Sequence, residues 1–82
     1  MILVDVYIPA MEEVYDFQLD ENASVELIIQ EMVELIARWN KSGPGIHSED
    51  FALCHMGTQK LIRRSQTLYN AGVHDGSRLI LL

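Results

Sequence analysis

The chain has 82 residues, 49% of them hydrophobic, and a single cysteine. This composition predicts one domain over residues 1–82 with a modest core, no internal disulfide and a reducing compartment. Twelve acidic and six basic side chains give a net charge of −6, which disfavours a nucleic-acid or anionic-membrane partner and favours a basic protein surface. No apolar run approaches the ~20 residues of a membrane span, and residues 1–9 lack the basic start of a signal peptide, so we expect a cytoplasmic protein without membrane insertion.

Two alternating segments open the chain and predict a β-hairpin. Over residues 1–9, apolar and β-branched side chains recur at every second position, which is the period of a half-buried strand. Residues 13–19 alternate in the same way, with Phe17 and Leu19 on one side. Because only residues 10–12 separate the two strands, we expect them to pair antiparallel.

Residues 24–40 have the period of an amphipathic helix, the longest element that the sequence predicts. Ser24 or Asn22 can cap its first turn, and Gly43-Pro44-Gly45 ends it. Only Leu27 points away from the apolar arc. The large side chains that share this arc are Val25, Ile28, Ile29, Met32, Val33, Leu35, Ile36 and Trp39.

The rest of the chain predicts short elements that complete a sheet. We expect a polar surface loop over 40–50, short strands over 51–55 and 59–62, a helical turn or anchored loop over 67–73, and an apolar strand over 78–82. The order ββαββ, or ββαβ(β)β when the short strand over 59–62 is included, with one long helix packed on one face of a mixed sheet, is an α+β fold of the β-grasp type. The predicted core consists of Val4, Val6, Phe17, Leu19, Val25, Ile28, Ile29, Met32, Ile36, Leu53, Leu68, Val73, Leu79 and Leu81.

The C-terminal third has a closing pattern in which a leucine is followed by Gly-Val, by an Asp-Gly turn and by a strand of alternating aliphatic residues. The residues of this pattern are Leu68, Gly72, Val73, Asp75, Gly76, Ser77 and Leu79. The pattern resembles that of ubiquitin-like proteins, and within them the YukD-like group of small bacterial proteins associated with type VII secretion. The approach to the helix, from Leu19 through Ser24 to Val25, is also similar to ubiquitin. The loop over 41–50 departs from the family pattern because it is longer and richer in glycine.

This resemblance implies a non-enzymatic interaction module whose partners are membrane-bound components of a type VII secretion system. It implies no cofactor. Two alternatives stay open: a ubiquitin-like modifier or sulfur carrier, and a detached ubiquitin-like domain of a membrane secretion component. Conjugated relatives end in a mobile Gly-Gly tail, whereas residues 79–82 are aliphatic and belong to the predicted final strand, so the sequence disfavours conjugation.

No residue pattern predicts catalysis or a metal site. Cys54 and His55 are adjacent, but neighbours in a strand point to opposite faces, so a structural cysteine is favoured over a nucleophile. Two groups of possible ligands, in the 47–50 loop and at His74-Asp75, lack the spacing of a zinc site, and solvated loop residues explain them better.

Two further features have ordinary structural explanations. The basic cluster at Lys60, Arg63 and Arg64 is too small for a nucleic-acid patch, and it fits a solvated loop or a salt-bridge site for an acidic partner. Trp39 lies near the helix end, where it is expected to cap the core; a hot spot for a partner is the alternative.

One face of the predicted sheet stays uncovered, because a single helix covers only the other. Alternation gives this open face more apolar side chains than a solvated surface requires, which indicates protein binding. Ubiquitin is recognised on the same side of its sheet. A homodimer formed across this face would be a variant of the hypothesis. The alternative is that the face is ordinary exposed apolar surface. The predicted binding residues are Leu3, Asp5, Tyr7, Ala52, Cys54, Arg78, Ile80 and Leu82.

Overall fold

Five strands and one long helix account for most of the chain that a computed structural model describes, residues 1–40 and 47–82. A short 3-10 turn follows the helix in sequence. The elements are β1 (Ile2–Ile8), β2 (Glu13–Leu19), α1 (Val25–Asn40), the 3-10 turn (Ser48–Asp50), β3 (Leu53–His55), β4 (Lys60–Ile62) and β5 (Arg78–Leu81).

The sheet has the order β2-β1-β5-β3-β4, so the last strand of the chain lies in its centre. β1 and β2 form the predicted antiparallel hairpin. β5 runs parallel to β1 and antiparallel to β3, and β4 pairs antiparallel with β3 at the far edge. This mixed sheet with one helix on one face confirms the predicted β-grasp architecture.

The helix begins where the sequence predicted, and Ser24 rather than Asn22 caps it. The Ser24 hydroxyl accepts a hydrogen bond from the backbone N–H of Leu27 at 3.3 Å. The backbone N–H of Val25 donates to the carbonyl of Gln66 at 2.8 Å, so the loop before residue 67 satisfies another donor of the first turn. The start of α1 is therefore tied to a segment far away in sequence.

All fourteen residues of the predicted core are buried, and the core extends beyond them. The strands and the helix contribute four further buried side chains, Ile2, Ile8, Val33 and Ile62. Fully burying a large aliphatic side chain stabilises a fold by roughly 1.5–3 kcal/mol before entropy is counted, so this layer between α1 and the sheet is the main source of stability.

The predicted boundaries differ from the observed ones by one or two residues, except in the loop after the helix. Residues 48–50 form a 3-10 turn where the sequence predicted an irregular loop, and Gly43-Pro44-Gly45 lies outside the described residues. β3 begins at Leu53 rather than Phe51. Even so, Ala52 exchanges two backbone hydrogen bonds with residue 82, at 3.0 and 2.8 Å, so the pairing continues past the assigned strand.

The segment over residues 67–73 is a turn that two buried side chains anchor, as predicted. Thr67 accepts a hydrogen bond from the backbone N–H of Asn70 at 3.0 Å through its hydroxyl. Leu68 and Val73 lie in the core on either side of this turn. Gly72, which lies between them, has a φ of +78°, a conformation that glycine adopts without strain.

Candidate protein-binding face

The outer face of the sheet is formed by the side chains that alternate with the core along each strand. The core-facing positions of β1 are buried, whereas Leu3 and Tyr7 between them are exposed. β5 alternates in the same way, with buried Leu79 and Leu81 on the helix side. Because strand side chains alternate between faces, the intervening residues lie opposite α1.

Strand register places one outer-face residue from each strand in a single line across the sheet. Tyr7 of β1 lies opposite both Val14 of β2 and Ile80 of β5. Cys54 of β3 lies opposite both Ile80 and Leu61 of β4. Paired residues point to the same face of a sheet. We call this set the apolar row: Val14, Tyr7, Ile80, Cys54 and Leu61.

The apolar row is exposed mainly at its two ends. Val14 is 59% exposed and Leu61 64%, while Tyr7 is 38% exposed. Ile80 and Cys54, in the middle of the sheet, are half-buried because strands flank them on both sides. The result is a continuous apolar surface from one edge of the sheet to the other, and the exposed side chain of Leu82 lies two residues beyond Ile80. Leu3 is also exposed, but Asp5 lies between it and Tyr7 on the outer face of β1.

A charged line runs beside the apolar row. Asp16 of β2 lies opposite Asp5 of β1, and Asp5 lies opposite Arg78 of β5. The hydrogen bond with Asp5, then its negative charge and finally partial burial raise the pKa of the Asp16 carboxyl above its usual value. Among residues 1–40 and 47–82, Arg78 forms no ion pair, so the two carboxyls lack a bound cation partner.

A cavity of about 370 Å³ opens on this face beside the acidic pair. Apolar side chains of three elements contribute to its lining together with one acidic and one basic residue. Its lining residues are Asp5, Tyr7, Val14, Met56, Arg78 and Leu79. The arrangement suits a side chain with an apolar stem and a polar end.

The structure places all eight predicted binding residues on or beside the outer face. Leu3, Tyr7, Arg78 and Leu82 are exposed, and the other four are half-buried. The prediction omitted Val14, Leu61 and Met56, although the alternation that put Phe17 in the core would have turned Val14 outward. Leu61 faces outward because its neighbour Ile62 is buried, and the sequence did not predict that burial. Met56 follows β3 in a turn, where alternation gives no guidance.

The arrangement around Cys54 and His55 does not assemble a nucleophile. Cys54 lies on the outer face, whereas His55 is buried on the other side of the sheet. The His55 Nδ1 accepts a hydrogen bond from the backbone N–H of Thr58 at 3.3 Å. A Cβ added at Gly57 would lie 2.9 Å from the imidazole, so this turn is packed closely around the ring. His55 therefore shapes the β3–β4 turn.

The described residues, 1–40 and 47–82, contain no group of three His, Cys, Asp or Glu side chains placed to hold a metal ion. In the same ranges, no helix is both long enough and apolar enough to cross a bilayer.

Of the basic cluster, Lys60 and Arg63 are exposed, as expected for a solvated group, whereas Arg64 is not. Arg64 is half-buried and binds Glu26 of α1 through its Nε. Its other guanidinium nitrogens donate to the carbonyls of Phe51 at 2.6 Å and Ser48 at 2.9 Å. The prediction was wrong for Arg64 because these acceptors come from distant segments that only folding brings together.

Trp39 packs at the rim of the core instead of within it. Its ring lies 4.8 Å from that of Tyr15 and 5.7 Å from that of Phe17, both on β2. The indole is nevertheless 47% exposed. It covers the edge of the core, as predicted, and keeps half of its surface open.

A second exposed apolar feature lies on the outer side of α1. Leu27 is 57% exposed, which confirms that it points away from the core. It lines a shallow depression with Met1 and Ala23, and the other lining residues are Asp20, Gln30, Glu31 and Glu34. Acidic and polar side chains dominate here, so this surface is less apolar than the outer face of the sheet.

Comparison with known protein families gives a match over residues 3–81 to the family described as "YukD: WXG100 protein secretion system (Wss), protein YukD". This chain belongs to the YukD family. The match covers nearly the whole chain and confirms the resemblance found in its closing residues. A search among curated proteins found no match.

Solved structures show that this YukD-family chain has the ubiquitin-like fold. It matches the solution structure of the N-terminal ubiquitin-like domain in the 4931431F19Rik protein with a TM-score of 0.73 and 23% identity, covering 99% of this chain and 72% of that one. It matches a chain in the crystal structure of ATBAG1 in complex with HSP70 with a TM-score of 0.75 and 22% identity, covering 100% of this chain and 40% of that one. At such identities the likeness concerns the fold alone.

Proposed function

We propose that this YukD-family chain is a non-enzymatic, cytoplasmic interaction module of the WXG100, or type VII, secretion system, and that its outer sheet face binds a membrane-bound protein component of that system. Family membership supports the secretion role. The apolar row supports the choice of face, since it joins all five strands in one exposed apolar surface.

The distribution of charge around the apolar row is typical of a protein interface. Such interfaces have an apolar centre and a polar rim, and the centre is poor in charged side chains. Here Tyr7, Ile80 and Cys54 form the middle of the row, while Asp5, Asp16 and Arg78 lie beside it. The large aromatic ring of Tyr7 is the kind of anchor on which binding energy concentrates.

The proposal that the chain is not an enzyme is supported by the positions of its potentially reactive groups. The Cys54 thiol and the His55 imidazole lie on opposite faces of the sheet, so this imidazole is not placed to activate the thiol. The cavity on the outer face holds a carboxyl and a guanidinium among apolar side chains. These groups suit recognition of a partner side chain.

The test is a pull-down of the membrane-bound secretion components from the native cells with a Tyr7→Ala, Ile80→Asp double variant. We expect the double variant to lose these components, because it removes the aromatic anchor and places a charge in the centre of the apolar row. Circular dichroism must first show that the variant is folded. Leu27→Asp serves as the control, since it adds the same charge at an exposed apolar side chain that lies on α1, away from the outer face.

Unchanged capture by the double variant, together with unchanged self-association in sedimentation experiments, would move the interface away from the sheet. Loss of capture in the Leu27→Asp variant alone would place it on the outer side of α1. In either case the outer face would be ordinary exposed apolar surface.

A further inference from the structure

The dimensions of the apolar row match those of a helix surface. Neighbouring strands lie about 4.8 Å apart, so a row across five strands spans roughly 19 Å. A helix covers that distance in about 13 residues, and its side chains at spacings of three and four lie about 5–6 Å apart. Each strand in the row can therefore contact one residue of a helix laid across the sheet.

An extended peptide fits this surface less well. A peptide that crosses the strands over their side chains cannot pair with the sheet backbone, because strand addition occurs at an edge. Its own N–H and C=O groups would lose water without gaining partners. A helix satisfies these groups internally and offers a continuous apolar stripe to Val14, Tyr7, Ile80, Cys54 and Leu61.

The charges beside the apolar row indicate which charge a partner's side chain must carry there. Asp5 and Asp16 face each other across β1 and β2, and Arg78 is the single cation in their line. The chain as a whole carries a charge of −6. A cation entering beside the two carboxyls would relieve their repulsion. Of the two, Asp5 lines the cavity, where Arg78 also lies and where Tyr7 and Val14 are available for an aliphatic stem.

A second copy of the chain fits these charges poorly. Two copies stacked by their outer faces would bring two acidic pairs into one interface with only two Arg78 side chains, and each copy adds a net charge of −6. Desolvating unpaired carboxyls in such an interface is costly. A partner with its own basic side chain avoids this cost.

We propose that the outer face binds an amphipathic helix of a partner protein, with the helix's apolar stripe on the apolar row and one of its lysine or arginine side chains in the cavity beside Asp5 and Asp16. This rests on the proposed function in using the same face. It adds the secondary structure of the bound segment and the sign of its anchoring charge.

A peptide-display selection tests the proposal without knowledge of the natural partner. A library of random 16-residue peptides is selected on the intact wild-type protein, on an Asp5→Asn, Asp16→Asn variant and on an Ile80→Asp variant. With the wild type we expect peptides with apolar residues at helical spacing and at least one lysine or arginine. The Asn variant should lose the enrichment for basic residues but keep the apolar spacing, and the Ile80→Asp variant should select neither.

A double-mutant cycle then measures the contact between the basic residue of the peptide and the carboxyls of Asp5 and Asp16. Replacing the basic residue of a selected peptide by methionine should weaken its binding to the wild type by about tenfold, the effect of one well-placed charge contact. The same replacement should change binding to the Asn variant far less. Asp20→Asn is the matched control, because it removes an acidic charge from an exposed site away from the outer face.

Several results would overturn the inference. They are selected peptides without basic enrichment, acidic peptides whose binding depends on Arg78, a selection that yields no binder dependent on Ile80, and a dimer in sedimentation equilibrium that Ile80→Asp dissociates. If the Tyr7→Ala, Ile80→Asp variant loses the secretion components while the Asp5→Asn, Asp16→Asn variant captures them fully, the proposed function stands. In that case only the inference of a helix with an anchoring cation is wrong.

Discussion

Arg64 connects three parts of the chain through one guanidinium group. It binds the Glu26 carboxylate in the first turn of α1 and the carbonyls of Ser48 and Phe51 around the 3-10 turn. Hydrogen bonding from Arg64 lowers the pKa of Glu26, and the positive charge acts in the same direction. The side chain therefore holds the segment that leads into β3 against the helix.

We expect Arg64→Ala to lower the free energy of unfolding by about 1–3 kcal/mol, because two carbonyls and a carboxylate lose their donor. Arg64→Lys should recover part of this loss, since an ammonium keeps the charge but cannot reach all three acceptors in fork geometry. Urea denaturation measures both. Arg63→Ala, at the exposed neighbouring position, is the control. Equal stability of the Arg64→Ala and Arg63→Ala variants would show that the contacts of the Arg64 guanidinium do not stabilise the fold.

The same contact has a defined pH dependence. Because the folded-state pKa of Glu26 is lowered, its contribution is present above the unfolded-state pKa and is lost as pH falls through the folded-state value. The difference in stability between wild type and Arg64→Ala should therefore shrink in acid. A difference that stays constant down to acid pH would assign the effect to the two carbonyl contacts alone.

The acidic pair on the outer face should destabilise the free protein at neutral pH. The pKa of Asp16 is raised in the folded state, so folding holds its proton to higher pH than the unfolded chain does. The free energy of unfolding therefore falls as pH rises from the unfolded-state pKa of Asp16 to its folded-state pKa. Above the folded-state pKa, the repulsion between Asp16 and Asp5 remains. We expect Asp16→Asn to raise the melting temperature at about pH 7 and to have little effect below about pH 3.

Calorimetry at the two pH values measures this effect. Asp5→Asn should produce a similar gain, and the double variant should gain little more, because either single change already removes the repulsion. Asp20→Asn controls for the general effect of lowering the net negative charge. A lower melting temperature for Asp16→Asn at neutral pH would contradict the argument.

Individual contacts were the least predictable feature of the sequence. Alternation along β1 and β5 was sufficient to put Leu3, Tyr7 and Ile80 on the outer face, because strand geometry alone decides it. Arg64 was misassigned because its acceptors include two backbone carbonyls, which carry no sequence signal. Its carboxylate partner lies 38 positions away and becomes a neighbour only after folding.

At the scale of elements, the helix is the feature that the sequence predicted best. Its start and its buried stripe follow from the 3.6-residue period, which is local, and Ser24 was one of the two caps that the sequence allowed. The register of β3 and β4 was harder, because each has only three assigned residues and β4 pairs with β3 alone at the edge of the sheet. Leu61 was therefore missed as an outer-face residue.

Ile28 and Leu27 are neighbours on α1 that test how the helix docks. Ile28 is 1% exposed, whereas Leu27 is mostly exposed. Ile28→Ala should lower the free energy of unfolding by roughly 2–5 kcal/mol through lost burial and a cavity. Leu27→Ala, the same kind of truncation one residue away, should change it by less than about 0.5 kcal/mol. Urea denaturation with a common m-value gives both numbers, and similar losses at the two positions would mean that a different helix face is packed.

At the scale of the whole molecule, β5 joins the two ends of the chain. It pairs with β1 of the N-terminal hairpin on one side and with β3 on the other. The turn before it adds a further link, since the Asp75 Oδ1 accepts a hydrogen bond from the backbone N–H of Leu3 at 2.8 Å. The sequence predicted the turn and an apolar final strand, and the strand pairing shows that this strand lies in the centre of the sheet.

This arrangement supports the proposal that residues 1–82 form one cooperative domain, and unfolding tests it. Trp39 is the sole tryptophan and packs on Tyr15 and Phe17, so its fluorescence reports on the contact between α1 and β2. Far-UV circular dichroism reports on the helix and the entire sheet. We expect both signals to follow one transition with the same midpoint and slope in urea, because β5 pairs with both β1 and β3 and all five strands share one core with α1.

Leu79 lies fully buried in β5, at the point where the two halves of the sheet meet. Leu79→Ala should lower the free energy of unfolding by roughly 2–5 kcal/mol. In a single cooperative unit, the fluorescence and circular dichroism midpoints must fall together, although Trp39 lies far from the substitution in sequence. If the circular dichroism transition splits or shifts while the fluorescence transition keeps its midpoint, then the hairpin and α1 form a unit that is stable without β3 and β4.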